Sequence, residues 1–331
     1  MKKLFMIPIL LILLIAAVFG ARVFKVVHLE HSGDQYLPLW KRLQAESLGS
    51  SKLRYVHVRW QASEDPLASA QAYQKLQMLI AEKFPQELDR PSFELHFSGE
   101  SEENIVLIGG VGPLSDASVV NKLSQIGGTW SRNLRLISSP PPREPLDLLW
   151  DGLPYLWNLR SFLRDSDYFM VASNTAHAHS VKLKALAPGS RLVDLTELVV
   201  SKIKEEQIPS PLLILGTQSA WNKNFYEGKF DREGIAYQKL DLEEQKEIQL
   251  AISKIKASQF SDTESENLKN FVGNLKEKYG AQSLLLACTE LSLVLKPGAG
   301  EFDQRKFIDS ERILVNSLYA YLSGMTPPGQ M

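Results

Sequence analysis

The sequence predicts an α/β protein: two pseudosymmetric parallel-sheet α/β domains made from one duplicated unit, with the site in the cleft between them and an N-terminal α+β extension. Three observations carry this. Continuous apolar strands alternate with helical segments, the pattern of parallel sheets covered on both faces. The strand–turn–helix series runs from residue 104 and restarts at residue 211. Landmarks also recur at one spacing: Ser173 to Asp194 and Cys288 to Asp309 are each 21 positions, so the halves are offset by 115 at both. A fixed internal period is the sign of a repeated unit.

Taken in order, "FKVVHLE" and "LRYVHVRW" read as strands, the second with period-two alternation. "DPLASAQAYQKLQMLIAEKF" spaces its apolar residues by three and four, which predicts an amphipathic helix. "GESEEN" at 99–104 reads as a polar linker. Buried strands follow in "NIVLIGG", "NLRLISS", "YFMVASN" and "RLVDL", then again in "PLLILGT", "IAYQKLD", "SLLLACT" and "KFIDS". Segments 198–206 and 264–278 are helical. These elements divide the chain into 1–22, an extension 23–100, domains 101–206 and 207–325, and a tail 326–331.

"MKKLFMIPILLILLIAAVFGARVF" places Lys2 and Lys3 before an apolar run from Leu4 to Phe19, with small Gly20 and Ala21 after it. That is the layout of a signal peptide, or of a membrane anchor through residues 4–20 if it is not cleaved. No Cys follows the run, which excludes a lipoprotein anchor. The remainder is expected outside the cytoplasm, in the periplasm or facing it. A net charge of −1, without basic clusters interleaved with aromatics, excludes nucleic acid as a partner. Cys288 is the only cysteine, so no intramolecular disulfide forms. In an oxidising compartment a lone thiol is either buried or useful.

The carboxyl ends of parallel strands carry ligand sites, and both landmarks fall there. The residues that do so resemble the aspartate/glutamate racemase superfamily, most closely its aspartate racemase branch. The matching pieces are "GGVGPLSDAS" at 109–118, "SNTAHAH" at 173–179, "LGTQSAWNKNFYEGKF" at 215–230, "ACTELSLVL" at 287–295 and "FIDSERI" at 307–313. They lie in family order over about 104–325 and leave 23–100 uncovered.

The resemblance implies a cofactor-independent reaction at the α-carbon of an acidic amino acid, with a cysteine on each face of that carbon. By residue match Cys288 is the C-terminal thiol, the one expected to deprotonate the L-enantiomer. Ser173 stands where the N-terminal thiol belongs. Asn174, Thr175, Thr289 and Glu290 match turn residues that bind substrate, His177 matches the histidine after Asn-Thr-Ala, and Gly110 belongs to the first-strand loop. "SSPPPRE" makes Arg143 the clamp for a side-chain carboxylate, with Lys223 or Lys229 as a further basic residue. A homodimer is implied by the relatives.

Serine is the departure. A thiol at a strand-to-helix turn can be ionised with help from the helix N-terminus. An alcohol is far less acidic and acts as a base only with a partner such as histidine. The expectation is therefore a slow or direction-biased racemase. Two alternatives stand beside it: a binding protein for a small carboxylate or amino acid, and a decarboxylase of the single-cysteine type known in the superfamily.

Smaller signals carry less. A metal site built with His28 and His31 would need distant segments to converge. Ser173 lacks the Gly-x-Ser-x-Gly elbow of a hydrolase, and "GGVG" lacks both a nucleotide fingerprint and a P-loop lysine. Asp194 and Asp309 read as helix caps. No metal and no cofactor is expected.

Overall fold

The protein is described by a computed structural model covering residues 27–48, 56–84, 91–109, 113–126, 130–138, 162–174, 177, 184–185, 187–222, 224–256, 259–295 and 307–325. The expected signal or anchor, Gly110, Arg143, Thr175 and Lys223 lie outside these residues. Among the described residues no helix is long and apolar enough to cross a membrane.

The chain begins with β1 (Val27–Ser32), α1 (Tyr36–Glu46), β2 (Val56–Gln61), α2 (Pro66–Lys83) and β3 (Ser92–Phe97). The first half of the repeat follows as β4 (Asn104–Ile108), α3 (Pro113–Ile126), β5 (Asn133–Ser138), β6 (Tyr168–Val171), β7 (Arg191–Val193) and α4 (Leu195–Glu205). The second half is β8 (Leu212–Gly216), α5 (Gln218–Asn222), α6 (Glu227–Glu233), β9 (Tyr237–Gln238), α7 (Leu242–Lys256), α8 (Asp262–Lys278), β10 (Ser283–Ala287), α9 (Thr289–Leu295), β11 (Phe307–Asp309) and α10 (Ser310–Leu322).

Two sheets result, a seven-stranded one ordered β1-β2-β3-β5-β4-β6-β7 and a four-stranded one ordered β11-β10-β8-β9. The run β5-β4-β6-β7 has the same order as β9-β8-β10-β11, and every neighbouring pair within both runs is parallel. The duplicated unit read from the 115-residue offset is thus visible as one strand order used twice. In the second half, β10 is buried at every position, as expected of a parallel strand covered on both faces.

The segment 23–100 differs from the expected α+β extension. Its strands β1, β2 and β3 are mutually parallel with helices between them, and β3 joins the first half by antiparallel pairing with β5. Strands from both sides of residue 100 therefore share one sheet. The polar stretch 99–104 is not a loose connection either. Gly99 N–H donates to Asn133 Oδ1 at 2.8 Å and Ser101 N–H donates to the Ser131 carbonyl at 2.8 Å. A Cβ on Gly99 would come within 2.3 Å of the Arg132 carbonyl oxygen, so only glycine lets the backbones approach this closely.

Alternation sets which face of these strands is covered. In β2, Val56, Val58 and Trp60 point into the core while His57, Arg59 and Gln61 face outward or are half-buried. The apolar face packs with Leu39, Leu43, Tyr73 and Leu76 of α1 and α2. On the polar face, Glu94 is buried yet paired, with Arg135 at 2.6 Å, His96 at 3.0 Å and Arg59 at 3.4 Å. Burial works to raise its pKa, but hydrogen bonds from His57, His96 and Arg135 outweigh burial and hold it far below the usual carboxylate range. Arg135 lies on β5, so this charge cluster ties the first three strands to the repeat.

Helix ends follow local chemistry. Asp194 caps α4, accepting from Thr196 N–H at 2.8 Å, and Asp309 caps α10, accepting from Glu311 N–H at 2.9 Å. The capping role read from the sequence holds at both. Ser261 and Glu264 form a reciprocal capping box at the start of α8.

Between the halves, Glu311 on α10 is fully buried and meets Lys122 on α3 at 2.8 Å. Burial pushes its carboxyl up to about 7, with Lys122 pulling the other way. The folded state thus holds this proton more tightly than the unfolded chain. The stabilisation is complete below about pH 4.5 and is lost as pH climbs through about 7. Urea unfolding of wild type and Glu311→Gln across that window is expected to show wild type losing more than about 1 kcal/mol relative to the variant as pH rises.

Candidate functional site

The carboxyl ends of β6 and β10 each run into a polar turn, and these turns carry the residues singled out by the sequence. After β6 come Ser173, Asn174 and His177, all buried, at 7%, 3% and 3% exposure. After β10 come Cys288, Thr289 and Glu290, equally buried. Gly110, Arg143 and Thr175 are outside the described residues, so their expected contributions have no geometry here.

The turn after β10 is organised around one carboxylate. The Cys288 thiol donates to Glu290 Oε2 at 2.9 Å, and the Thr289 hydroxyl donates to the same oxygen at 3.1 Å. Glu290 opens α9, where a negative charge is favoured by the helix N-terminus. The thiol is affected in the opposite sense. Burial raises its pKa well above the ordinary cysteine value, and the Glu290 carboxylate raises it further. In this state Cys288 is a protonated thiol with a base already in hydrogen-bond contact.

The turn after β6 is held by histidine rather than built around a charge. His177 Nε2 accepts from Leu195 N–H at 3.1 Å, and Nδ1 lies 2.9 Å from the Ser173 carbonyl. An acceptor at Nε2 fixes the neutral tautomer with the proton on Nδ1, which donates to Ser173. Burial lowers the pKa of His177, against the pull of the Asp194 carboxylate and the Ser173 carbonyl. The ring hence positions the backbone of Ser173. It does not face the hydroxyl as a triad base would, because both nitrogens are bonded to backbone groups.

The internal offset pairs His177 with Ser292, and the two do the same job. Ser292 Oγ donates to Asp309 Oδ1 at 2.7 Å, tying the turn after β10 to the cap of the helix after β11. His177 ties the turn after β6 to the first residue of the helix after β7. Each half thus braces its reactive turn against the next helix start, by different side chains.

One set of hydrogen bonds joins the two turns. Asn174 Nδ2 donates to Ser310 Oγ at 2.9 Å, and Ser310 Oγ donates to the Leu286 carbonyl at 2.7 Å, two residues before Cys288. The Tyr226 hydroxyl donates to Asn174 Oδ1. Burial, with Asp194 nearby, pushes the pKa of Tyr226 up, so it remains a donor. Tyr226 and Ser310 were not singled out by sequence reading. The aromatic-rich "WNKNFYEGK" was the only hint of the first, and the second lies within "FIDSERI", next to Asp309, without having been given a role.

Lys229 is committed elsewhere, to Glu197 at 2.5 Å and Asp194 at 3.2 Å. A void of about 10 Å³ lies beside the second-half turn, lined by Gly216, Trp221, Tyr226 and Ala287 among others. That void is too small for an amino acid. Among the described residues no group of three or more His, Cys, Asp or Glu is arranged to hold a metal ion.

Replacing Asn174 by alanine leaves the buried Tyr226 donor without this acceptor and removes the link to Ser310. Asn174→Ala is expected to cost roughly 1–3 kcal/mol in urea unfolding, and a Tyr226→Phe background should remove much of that cost. Equal costs in both backgrounds would show that Tyr226 is not the partner that matters.

The sequence profile described as Asp/Glu/hydantoin racemase matches residues 147–318. The structure is similar to aspartate racemase from Picrophilus torridus, with a TM-score of 0.52 and 18% identity over 68% of this chain and 95% of that one. It is equally similar to an aspartate racemase homologue from Pyrococcus horikoshii, with a TM-score of 0.52 and 19% identity over 67% of this chain and all of that one. At these identities the structural likeness speaks for the fold. No curated protein matches the chain.

Proposed function

The chain belongs to the Asp/Glu/hydantoin racemase family, and from that premise we propose that it labilises the α-proton of a small acidic amino acid, aspartate or glutamate, without a cofactor. The observation that carries the reading is the 2.9 Å contact from the Cys288 thiol to the buried Glu290 carboxylate. The α-proton of an amino acid is a very weak acid, so its base must be strong, placed and partly desolvated. Cys288 is placed and desolvated, and Glu290 is the group that accepts its proton. A substrate ammonium group entering beside the pair supplies the positive charge that this transfer lacks in the free protein.

In this reading the thiolate of Cys288 takes the α-proton: the Cα–H bond breaks, an S–H bond forms, and the electron pair delocalises into the substrate carboxylate. Return of a proton from the same thiol regenerates the starting enantiomer. Return from the opposite face requires Ser173 or a water that it holds. By motif resemblance Asn174, Thr175, Thr289 and Glu290 bind the substrate's amino and carboxylate groups, Arg143 is the clamp for its side-chain carboxylate and Gly110 belongs to the first-strand loop, while His177 fixes the Ser173 turn. The two enantiomers are equal in free energy, so no catalyst favours one direction overall. The asymmetry of Ser against Cys instead appears as exchange that outruns inversion. The basic and apolar N-terminus supports an exported protein acting in or facing the periplasm.

A second reading has its own observation. Burial raises the pKa of the one thiol and Ser173 stands at the motif position of the other, so the protein can bind a small carboxylate without turnover. Incubation of the full chain with L- and D-aspartate and L- and D-glutamate in D₂O, followed by proton NMR, separates the two. Loss of the α-proton signal from an L-substrate, faster than formation of the D-enantiomer and abolished in Cys288→Ser, is the expected result. Binding seen as shifted protein signals, with no exchange from either enantiomer, would replace the enzyme by the binding protein.

A further inference from the structure

The antiparallel junction between β3 and β5 has a geometric result: the carboxyl ends of β1, β2 and β3 point away from those of β4, β6 and β7. The seven-stranded sheet therefore has a second carboxyl edge, and such edges are where α/β sheets hold ligands. At that edge lies a cleft of about 480 Å³, lined by Glu30, His31 and Ser32 of β1, Arg59 and Gln61 of β2, and His96 of β3. The volume is within the range of small-molecule sites, roughly 300–1,000 Å³.

The walls are fixed. Gly33 takes a φ of +87°, which suits glycine, and its N–H donates to the Gln61 carbonyl at 3.0 Å. Trp60 Nε1 donates to the Gly33 carbonyl at 2.7 Å, and the Trp60 ring meets His31 edge-on at 4.8 Å. Ala62 N–H donates to the His96 carbonyl at 2.9 Å. Only the polar ends of the lining residues remain adaptable.

Their chemistry is bipolar. Arg59 presents nitrogen donors and Glu30 presents one carboxylate, while Gln61 Nε2 is held by Ser98 Oγ at 3.3 Å and His96 Nε2 by Glu94 at 3.0 Å. Arg59 stands 3.6 Å from Glu30 and 3.4 Å from Glu94, whereas Arg135 and His96 hold Glu94 more closely. An exposed pair as long as Arg59 to Glu30 contributes little, between roughly 0 and 1 kcal/mol, and exchanges readily for a ligand. Beside the cleft, His31 Nε2 is buried without a hydrogen-bond partner among the described residues. We propose that this cleft is a second binding site, for an acidic amino acid, with Arg59 receiving a carboxylate and Glu30 receiving the ammonium group. The site is separate from the Cys288 turn and does not rest on the reaction assigned there.

The test follows the imidazole NMR signals of His31 and His96 in the full chain, assigned by their loss in His31→Asn and His96→Asn. L-glutamate, succinate and inorganic phosphate are the probes. Saturable shifts with L-glutamate are expected, weakened at least tenfold in Arg59→Gln and unchanged in Cys288→Ser. Glu30→Gln should weaken L-glutamate and spare succinate, which lacks the ammonium group. Absence of shifts with every probe would overturn the site, as would shifts that Arg59→Gln leaves intact or that Cys288→Ser abolishes. A response to phosphate alone would overturn the amino-acid class.

Discussion

The contact between the Cys288 thiol and the Glu290 carboxylate is the interaction on which the rest of the site depends. A buried thiol on its own is inert, and a buried carboxylate on its own is costly. Together they form a hydrogen-bonded pair at a strand-to-helix turn, where the start of α9 favours the carboxylate and the Thr289 hydroxyl adds a second donor to it. The pair is held in its resting state because burial and the like charge both oppose thiolate formation. Any ligand that ionises it must bring positive charge.

Everything around the pair serves to hold two turns in register. Asn174 is the joint: it belongs to the first half, and each end of its amide makes one bond to the second, through Ser310 and Tyr226. Below it the halves brace their turns in parallel fashion, His177 against the start of α4 and Ser292 against the cap of α10. A duplicated unit explains why the bracing positions correspond. Divergence explains why one is an imidazole and the other a hydroxyl, and why one turn offers a thiol while the other offers an alcohol. The electrostatic result is unequal: the second-half turn carries a charge, and the first-half turn is neutral.

Much of this was legible in the sequence, for a physical reason. Buried parallel strands are apolar throughout, so "NIVLIGG", "YFMVASN", "PLLILGT" and "SLLLACT" announce themselves, and a repeated unit keeps its spacing between Ser173 and Asp194 and between Cys288 and Asp309. The N-terminal strands were half-read. "SFELHF" was not read as a strand at all: a glutamate at its centre hides the fact that it lies inside a sheet, where Arg135 on another strand pairs with it. That the segment adds to the first sheet, rather than standing beside it, follows from the pairing of β3 with β5, a non-local choice that no local pattern encodes. Tyr226 and Ser310 escaped for the same reason. Their partner Asn174 is 52 and 136 residues away in sequence. Roles assigned to Gly110, Arg143 and Thr175 rest on motif resemblance alone.

The central claim is that Glu290 controls the protonation of Cys288, and because the chain has one cysteine, thiolate absorbance in the ultraviolet reads that group alone among thiols. A pH titration of the folded wild type is predicted to show no thiolate below about pH 9, with the signal moving to lower pH in Glu290→Gln, since removing the carboxylate removes a charge that opposes ionisation. A thiolate already present at neutral pH, or a titration that Glu290→Gln leaves in place, would contradict the account.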